Sequence, residues 1–296
     1  MMVHFTARMA GLVLAAGLSA PALAAGDGWQ QVAEALGKAG IEAPGGVYRV
    51  GLPRTDLKVV LDGVELKPAL ALGSWLAFRS QENQAMVMGD LVLTADEVSP
   101  VMKKLAEEGI EITALHNHLF RAAPATFYMH VRGYGDPVKL ATALHGGLLL
   151  SKTPLTPSTD AAPSPIGLDT ALIDRTLGAK GKVNGGVYQV SLKRAETVAD
   201  AGMAVPEAMG TAEAINFQPT SDGKAAIAGD FVLTANEVNP VLRVLRDNDI
   251  EVTALHNHML DDAPRLFFMH FWANDELTKL AAGLRAALDR MALAGQ

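Results

Sequence analysis

Two short stretches of this chain carry residues able to do chemistry, and they are copies of one another. Ile110-Glu111-Ile112-Thr113-Ala114-Leu115-His116-Asn117-His118-Leu119 recurs as Ile250-Glu251-Val252-Thr253-Ala254-Leu255-His256-Asn257-His258-Met259. Eight of the ten positions are identical, at an offset of 140 residues. A third histidine follows each copy at the same distance, His130 and His270. Six of the eight histidines therefore belong to two matching sets, and only His4 and His145 stand apart. Side chains at i and i+2 of a strand share a face, so His116 pairs with His118 and His256 with His258. The third imidazole joins them if a hairpin register with an even residue sum, 246 or 248, places it on that face.

Two imidazoles from one strand and a third from its neighbour suit a metal site with an open position. Imidazole selects Zn, Cu or another transition metal over Mg or Ca. The chain has no cysteine, so any site uses nitrogen and oxygen only. Asp90 and Asp230, at equivalent positions of the preceding strand, are the candidates for a carboxylate ligand or for orienting an imidazole from behind. Asn117 and Asn257 point the other way and are expected to hold backbone. Tyr128 is replaced by Phe268 in the second copy, which argues against a shared role for a hydroxyl. Three functions remain open: a metal-binding protein, a metal-dependent hydrolase in which the ion activates water, and a small-ligand module without metal between the repeats. A purely structural polar cluster is the bland alternative. A hydrolase needs a general acid or base, for which Asp90, Asp230, Glu111 and Glu251 are in range. Strand parity points Glu111 and Glu251 away from the histidines, which favours binding.

The elements that position these residues are duplicated too. Gly45-Gly46-Val47-Tyr48 and Gly185-Gly186-Val187-Tyr188 each open an alternating strand, after helices over Trp29–Gly40 and Leu168–Gly178. Residues 56–83 hold two strand-like runs, Leu57–Leu61 and Trp75–Arg79, with a turn at Asp62-Gly63. The matching region 196–223 has drifted. Similarity returns over residues 89–101 and 229–241, where ten of thirteen positions agree. There Thr94-x-x-Glu97 and Thr234-x-x-Glu237 form capping boxes, a structural role for both glutamates. Pro100 and Pro240 imply either a short capped turn before the main helix or one helix bent at proline. The histidine strand follows, then a loop of about seven residues, a strand (Thr126–Arg132; Leu266–Trp272) and a closing helix (Pro137–Leu148; Glu276–Leu288). His145 near that helix end suits an ordinary structural role.

The fold class is therefore α+β: two tandem homologous repeats, each a mixed or antiparallel sheet with packed helices, related by a pseudo-twofold axis. The expected organisation is a signal peptide over 1–24, repeat domains over 25–149 and 169–296, and a Pro/Ser/Thr-rich linker over 150–168. The signal reading rests on Arg8, the apolar run Met9–Leu23 and the small residues Ala22-Leu23-Ala24, too short a run for a spanning helix. It implies a periplasmic or secreted protein with no stable membrane anchor once processed. A formal charge of −7 excludes a phosphate-binding stripe and hence nucleic acid as partner. No nucleophile elbow or phosphate-cradling glycine loop occurs. The partner is a metal ion or small ligand, and the sequence fixes no oligomeric state.

Pro53-Arg54-Thr55-Asp56-Leu57-Lys58, Leu72-Gly73-Ser74-Trp75, Gly89-Asp90-Leu91-Val92-Leu93, Glu97-Val98 and Ala114-Leu115-His116-Asn117-His118 together resemble the LppY/LpqO family. The resemblance spans both repeats, and the His-x-His block is its most specific motif. It implies export and a two-repeat architecture, with no established activity. Some family members are lipoproteins, whereas this chain lacks the cysteine that would carry the lipid.

Overall fold

The computed structural model describes residues 25–82, 84–156, 165–221 and 223–295. The expected signal peptide and residues 157–164 of the linker lie outside the described residues. The first repeat runs α1 (Ala25–Leu36), β1 (Ile41–Ala43), β2 (Val47–Pro53), β3 (Val60–Leu61), β4 (Val64–Glu65), α2 (Pro68–Ala71), β5 (Gly73–Gln81), β6 (Gln84–Thr94), α3 (Ala95–Glu107), β7 (Glu111–His116), β8 (Thr126–Gly135) and α4 (Pro137–Leu148). The second runs α5 (Thr170–Leu177), β9 (Lys182–Asn184), β10 (Val187–Leu192), β11 (Ala199–Asp200), β12 (Met203–Ala204), a 3-10 turn (Glu207–Met209), β13 (Glu213–Ser221), β14 (Lys224–Thr234), α6 (Ala235–Asp247), β15 (Glu251–His256), β16 (Asp262–Ala263), β17 (Leu266–Glu276) and α7 (Leu277–Leu288).

Each repeat forms one six-stranded sheet, in the orders β1-β2-β5-β6-β8-β7 and β15-β17-β14-β13-β10-β9. Every ladder in them is antiparallel. Alternation along the strands divides the buried residues between two layers. In β6, Val87, Leu91 and Leu93 join Val101, Leu105 and Leu144 of the helices in an outer core. Met86, Met88 and Val92 face the other way, toward the second repeat. The molecule is thus stacked as helices, sheet, sheet, helices. The central strands are apolar on both faces, which is why Ala85 to Leu93 reads as a nearly unbroken run instead of an alternating one.

The two repeats clasp one another through reciprocal arms. Leu61, Leu66, Leu70 and Leu72 of the first repeat pack with Val187, Ala226, Ala228 and Trp272 of the second. Val198, Val205 and Met209 of the second pack with Val47, Ala77, Met86 and Met88 of the first. Backbone of the first arm is read by side chains of the opposite sheet: Gln218 Nε2 donates to Glu65 O, Gln189 Nε2 to Ala69 O and Asn216 Nδ2 to Leu70 O. The drifted region 196–223 is therefore an arm fitted to the other repeat's sheet, so each arm answers to a different surface.

Several expected boundaries move. Helix α1 stops at Leu36 because Gly37 takes φ 77, and Gly40 lies beyond it. Only Val60–Leu61 of Leu57–Leu61 is strand, closed by Asp62-Gly63 with φ 48 and 81, the two-residue turn that requires positive φ at both places. Both sheets gain a short edge strand, β1 and β9, ahead of the glycine pairs. Helices α3 and α6 each run through their proline as one helix.

The capping boxes are present. Glu97 accepts the Thr94 N–H at 2.9 Å, and Glu237 accepts that of Thr234 at 2.7 Å. Each carboxylate also meets a fully buried arginine: Arg54 holds Glu97 at 2.8 Å and Asp56 at 2.9 Å, and Arg194 holds Glu237 at 2.9 Å and Glu196 at 3.0 Å. The arginines also donate to the carbonyls of Val92 and Val232. This fork ties the strand leading into each arm to the helix behind the sheet, and it absorbs the Pro-Arg-Thr-Asp motif into structure. Thr234→Ala is expected to cost about 1 kcal/mol by removing one half of a cap, read as a lower urea midpoint at unchanged slope. His145 Nδ1 donates to Leu36 O at 2.7 Å, so it secures the end of α1 and takes no part in the site.

Candidate functional site

Adjacent strands of each sheet place three of the expected residues side by side. Asp90 on β6 stands opposite His130 on β8, and His130 stands opposite Ala114 on β7. His116 stands opposite Tyr128, giving an even residue sum of 244, one step from the expected registers and on the required face. The second repeat repeats this with Asp230 opposite His270, and His256 opposite Phe268. His118 and His258 are not on the strands, which end at His116 and His256; each lies in the following loop and folds back over the sheet.

The ladder shifts at Thr113, which has no partner residue. This bulge sets Glu111 opposite Arg132, on the histidine side, which corrects the parity argument for Glu111; Glu251 opposite Trp272 is the same case. Neither reaches the centre. Arg132 binds Glu111 at 2.6 Å and Arg121 binds Glu251 at 2.7 Å, both at the rim. The bulged residue locks the repeats together instead: Thr113 Oγ1 donates to His258 O at 2.5 Å, and Asn257 Nδ2 donates to Thr113 O at 3.1 Å.

Because the sheets meet face to face, the two histidine sets are not separate. Each imidazole lies on one from the other repeat: His116 on His256 and His118 on His270 with ring centres 3.4 Å apart, and His130 on His258 at 3.7 Å. Ligand atoms gather within 4.8 Å of one another in four sets: His116/His130/His258, His116/His118/His256, His256/His258/His270 and Asp90/His118/His130. Asp230 completes the symmetry, 3.7 Å from the Nε2 of both His258 and His270. The result is one centre of six imidazoles and two carboxyls on the pseudo-twofold axis. Tyr128 and Phe268 close it on either side, stacked on His118 at 3.3 Å and on His258 at 3.4 Å. The ring, not the hydroxyl, is what the two copies share; the signal was an aromatic residue two places before each third histidine.

The centre is dry. His118, His130, His258, His270 and Asp90 are buried. The Nε2 of all six histidines, with Asp90 Oδ1 and Asp230 Oδ1, find no hydrogen-bond partner among the described residues. Where the opposite ring nitrogen is engaged, it meets a carbonyl: His270 Nδ1 is 3.0 Å from Gly229 O and His256 Nδ1 3.1 Å from Asn257 O. A carbonyl only accepts, so Nδ1 carries the proton and Nε2 presents its lone pair inward. Gly229 lets the sheet close over that contact, since a Cβ there would sit 2.2 Å from Ala214 O.

Burial governs the charges. It pushes Asp90 up to about 8 against the opposing pull of Arg49, and it pushes Asp230 well above the carboxylate range, reinforced by Asp90. Burial lowers His116 to about 3, with the charge of His256 adding to it, and lowers His256 to about 4. His118, His130, His258 and His270 are held well below the usual imidazole range by burial and by one another. These eight buried polar atoms lack protein partners among the described residues, and unpaired polar groups of this kind are costly; a shared cation would satisfy them. The donor set suits a three-imidazole or a two-imidazole, one-carboxylate metal site.

Fold and site together define a two-repeat α+β protein whose sheets enclose a histidine–carboxylate centre. The chain belongs to the family described as Domain of Unknown Function (DUF1259), which matches it twice, over residues 30–149 and 171–290. A comparison with curated proteins finds no match. Solved structures that it matches include a double-ringed trimeric shell protein from the RMM microcompartment, at 8% identity over 72% of this chain and 85% of that one. The trimeric bacterial microcompartment shell protein PduB matches at 10% identity over 85% of this chain and 90% of its own. Both superpose with a TM-score of 0.22, too low to carry an argument.

Proposed function

We propose that this is an exported protein that binds a transition metal ion in one centre made by both repeats. The observation that carries the reading is the convergence of six buried, unpartnered Nε2 atoms and two unpartnered carboxyl oxygens, drawn equally from the two halves. Burying so many polar atoms without protein partners costs free energy that a shared positive ion would recover. Residues 1–24 and the resemblance to the LppY/LpqO family support export. No helix among the described residues is long and apolar enough to cross a membrane.

Binding is favoured over metal-assisted hydrolysis by enclosure and by the carboxyls. The cavity touching the cluster measures about 10 Å³, room for roughly one water-sized sphere and not for an organic substrate. Asp90 and Asp230 lie among the imidazoles, and Glu111 and Glu251 are paired with arginines, so among the described residues no general base stands free beside the centre. The test is metal analysis of the mature chain purified without an affinity tag, then stripped by chelator and reloaded. Near-integral Zn, Cu, Ni or Fe per chain is expected, with a rise in melting temperature on reloading. Less than about a tenth of an ion per chain, with no thermal response to any of them, contradicts the reading.

A further inference from the structure

The two sides of the centre are not chemically equal. Beside His130 and His258 lies the small cavity just described, walled by Met88, Met209, Met259 and Trp75. The pseudo-twofold axis carries this wall onto the His270/His118 side, where all three sulfurs are missing. Ala228 occupies the position of Met88, and Leu119 that of Met259. Leu70 answers to Met209, since each is the third residue after the cap that opens its arm's short helical turn, Lys67 or Pro206. Both are buried. Leucine thus fills two of the three places on one side, so packing does not by itself require thioethers on the other. The methionine side is also closely packed. Gly210, at φ 94, lets Trp75 lie so close that a Cβ would meet the indole at 2.9 Å, and Arg49 caps that ring 4.1 Å from its centre.

Thioether and imidazole donors in a buried, largely apolar pocket suit a soft monovalent ion, whereas a mixed imidazole and carboxyl donor set suits a divalent one. We propose that this cavity is a Cu(I) site, held by one imidazole from each repeat, His130 and His258, together with the thioethers of Met88, Met209 and Met259. It deepens the metal-binding reading and rests on it. The centre is then two-faced, with a soft face toward the arm of the second repeat and harder faces around Asp90 and Asp230.

The experiment is an anaerobic titration of the mature chain with Cu(I) against the chromophoric chelator bicinchoninate, run beside Zn(II) and Co(II) binding. The triple variant Met88→Leu, Met209→Leu, Met259→Leu keeps side-chain volume and is the comparison. Cu(I) affinity is expected to fall at least about tenfold in the variant while divalent affinity changes little. X-ray absorption at the copper edge of the unaltered protein needs no variant, and it should show a sulfur shell beside nitrogen. Unchanged Cu(I) affinity in the triple variant, or a copper shell of nitrogen and oxygen alone, overturns the inference. So does a protein that takes Zn(II) or Co(II) but not Cu(I), and in that case the broader metal-binding reading survives. A protein that takes none of the three, and neither Ni(II) nor Fe(II), removes both.

Discussion

Alanine at His118 and His130 alone, with the second repeat untouched, will empty the whole centre and not half of it. Two independent sites would leave about half the metal in such a variant. Here the rings of one repeat lie directly on those of the other, and two of the four ligand sets draw on both halves. Removing His118 and His130 dismantles three of the four sets and strips His258 and His270 of the rings stacked on them, leaving only His116 against His256. The mirror variant, His258→Ala with His270→Ala, breaks two of the four sets and strips the rings stacked on His118 and His130, and should lose metal as well. Loss of even an outer partner of a ligand costs about ten- to a hundredfold in affinity, and two direct ligands should cost more. Metal content by mass spectrometry, after dialysis against free ion near the wild-type dissociation constant, is expected to drop below about a tenth of wild type in both variants. A far-UV circular dichroism spectrum like that of wild type would show that the sheets persist. In the metal-free state these variants should be no less stable than wild type, because they delete polar groups that lack partners there.

The second large effect is a reversal of pH dependence on loading. In the metal-free chain the six imidazoles have folded values below their ordinary 6.5, so the unfolded state binds their protons first as pH falls. Stability is therefore lost as pH drops from about 6.5 toward 4. Asp90 works the other way. Its folded value of about 8 lies above its unfolded one near 3.8, so the stability it contributes at low pH disappears as pH rises toward 8. Asp230 and the buried Glu213 are raised as well and act in the same sense. Between pH 4 and 6.5 the imidazoles outnumber the carboxyls and stability rises with pH; above about 7 only the carboxyls still hold extra protons, and stability falls. The chelated protein should thus melt highest between about pH 6 and 7. The loaded protein should keep its stability through pH 8, because a bound cation favours ionised carboxylates and neutral imidazoles together. Melting temperatures from pH 4 to 9, with and without chelator, measure this. Parallel curves for the two states would mean that no cation meets these groups.

Much of this arrangement was legible in the residues. The duplication, the α+β class and the capping boxes at Thr94 and Thr234 follow from local rules of period and pairing, whereas the hairpin register was open between even and odd sums and the pairing of Asp90 with His130 joins strands distant in sequence. Three features were not legible, for distinct reasons. The bulge at Thr113 reverses the facing of Glu111, and no glycine or proline marks it, because its use lies in a contact with the other repeat. His118 and His258 reach the cluster from loops, so strand alternation gave the right partners for the wrong reason. The merging of two sites into one depends on how the sheets dock. That is set by the arms around Leu66 and Val205, the part of the chain where the two copies differ most, since each is matched to a different opposing sheet.

The central claim is that both halves grip the same ion. Anomalous diffraction from a crystal of the tag-free, metal-loaded mature chain tests it most directly. A peak inside the cluster, about 2.0–2.2 Å from Nε2 atoms of at least one histidine in each repeat, is the predicted result. Peaks confined to the surface, or an ion bound wholly by one repeat, would contradict it.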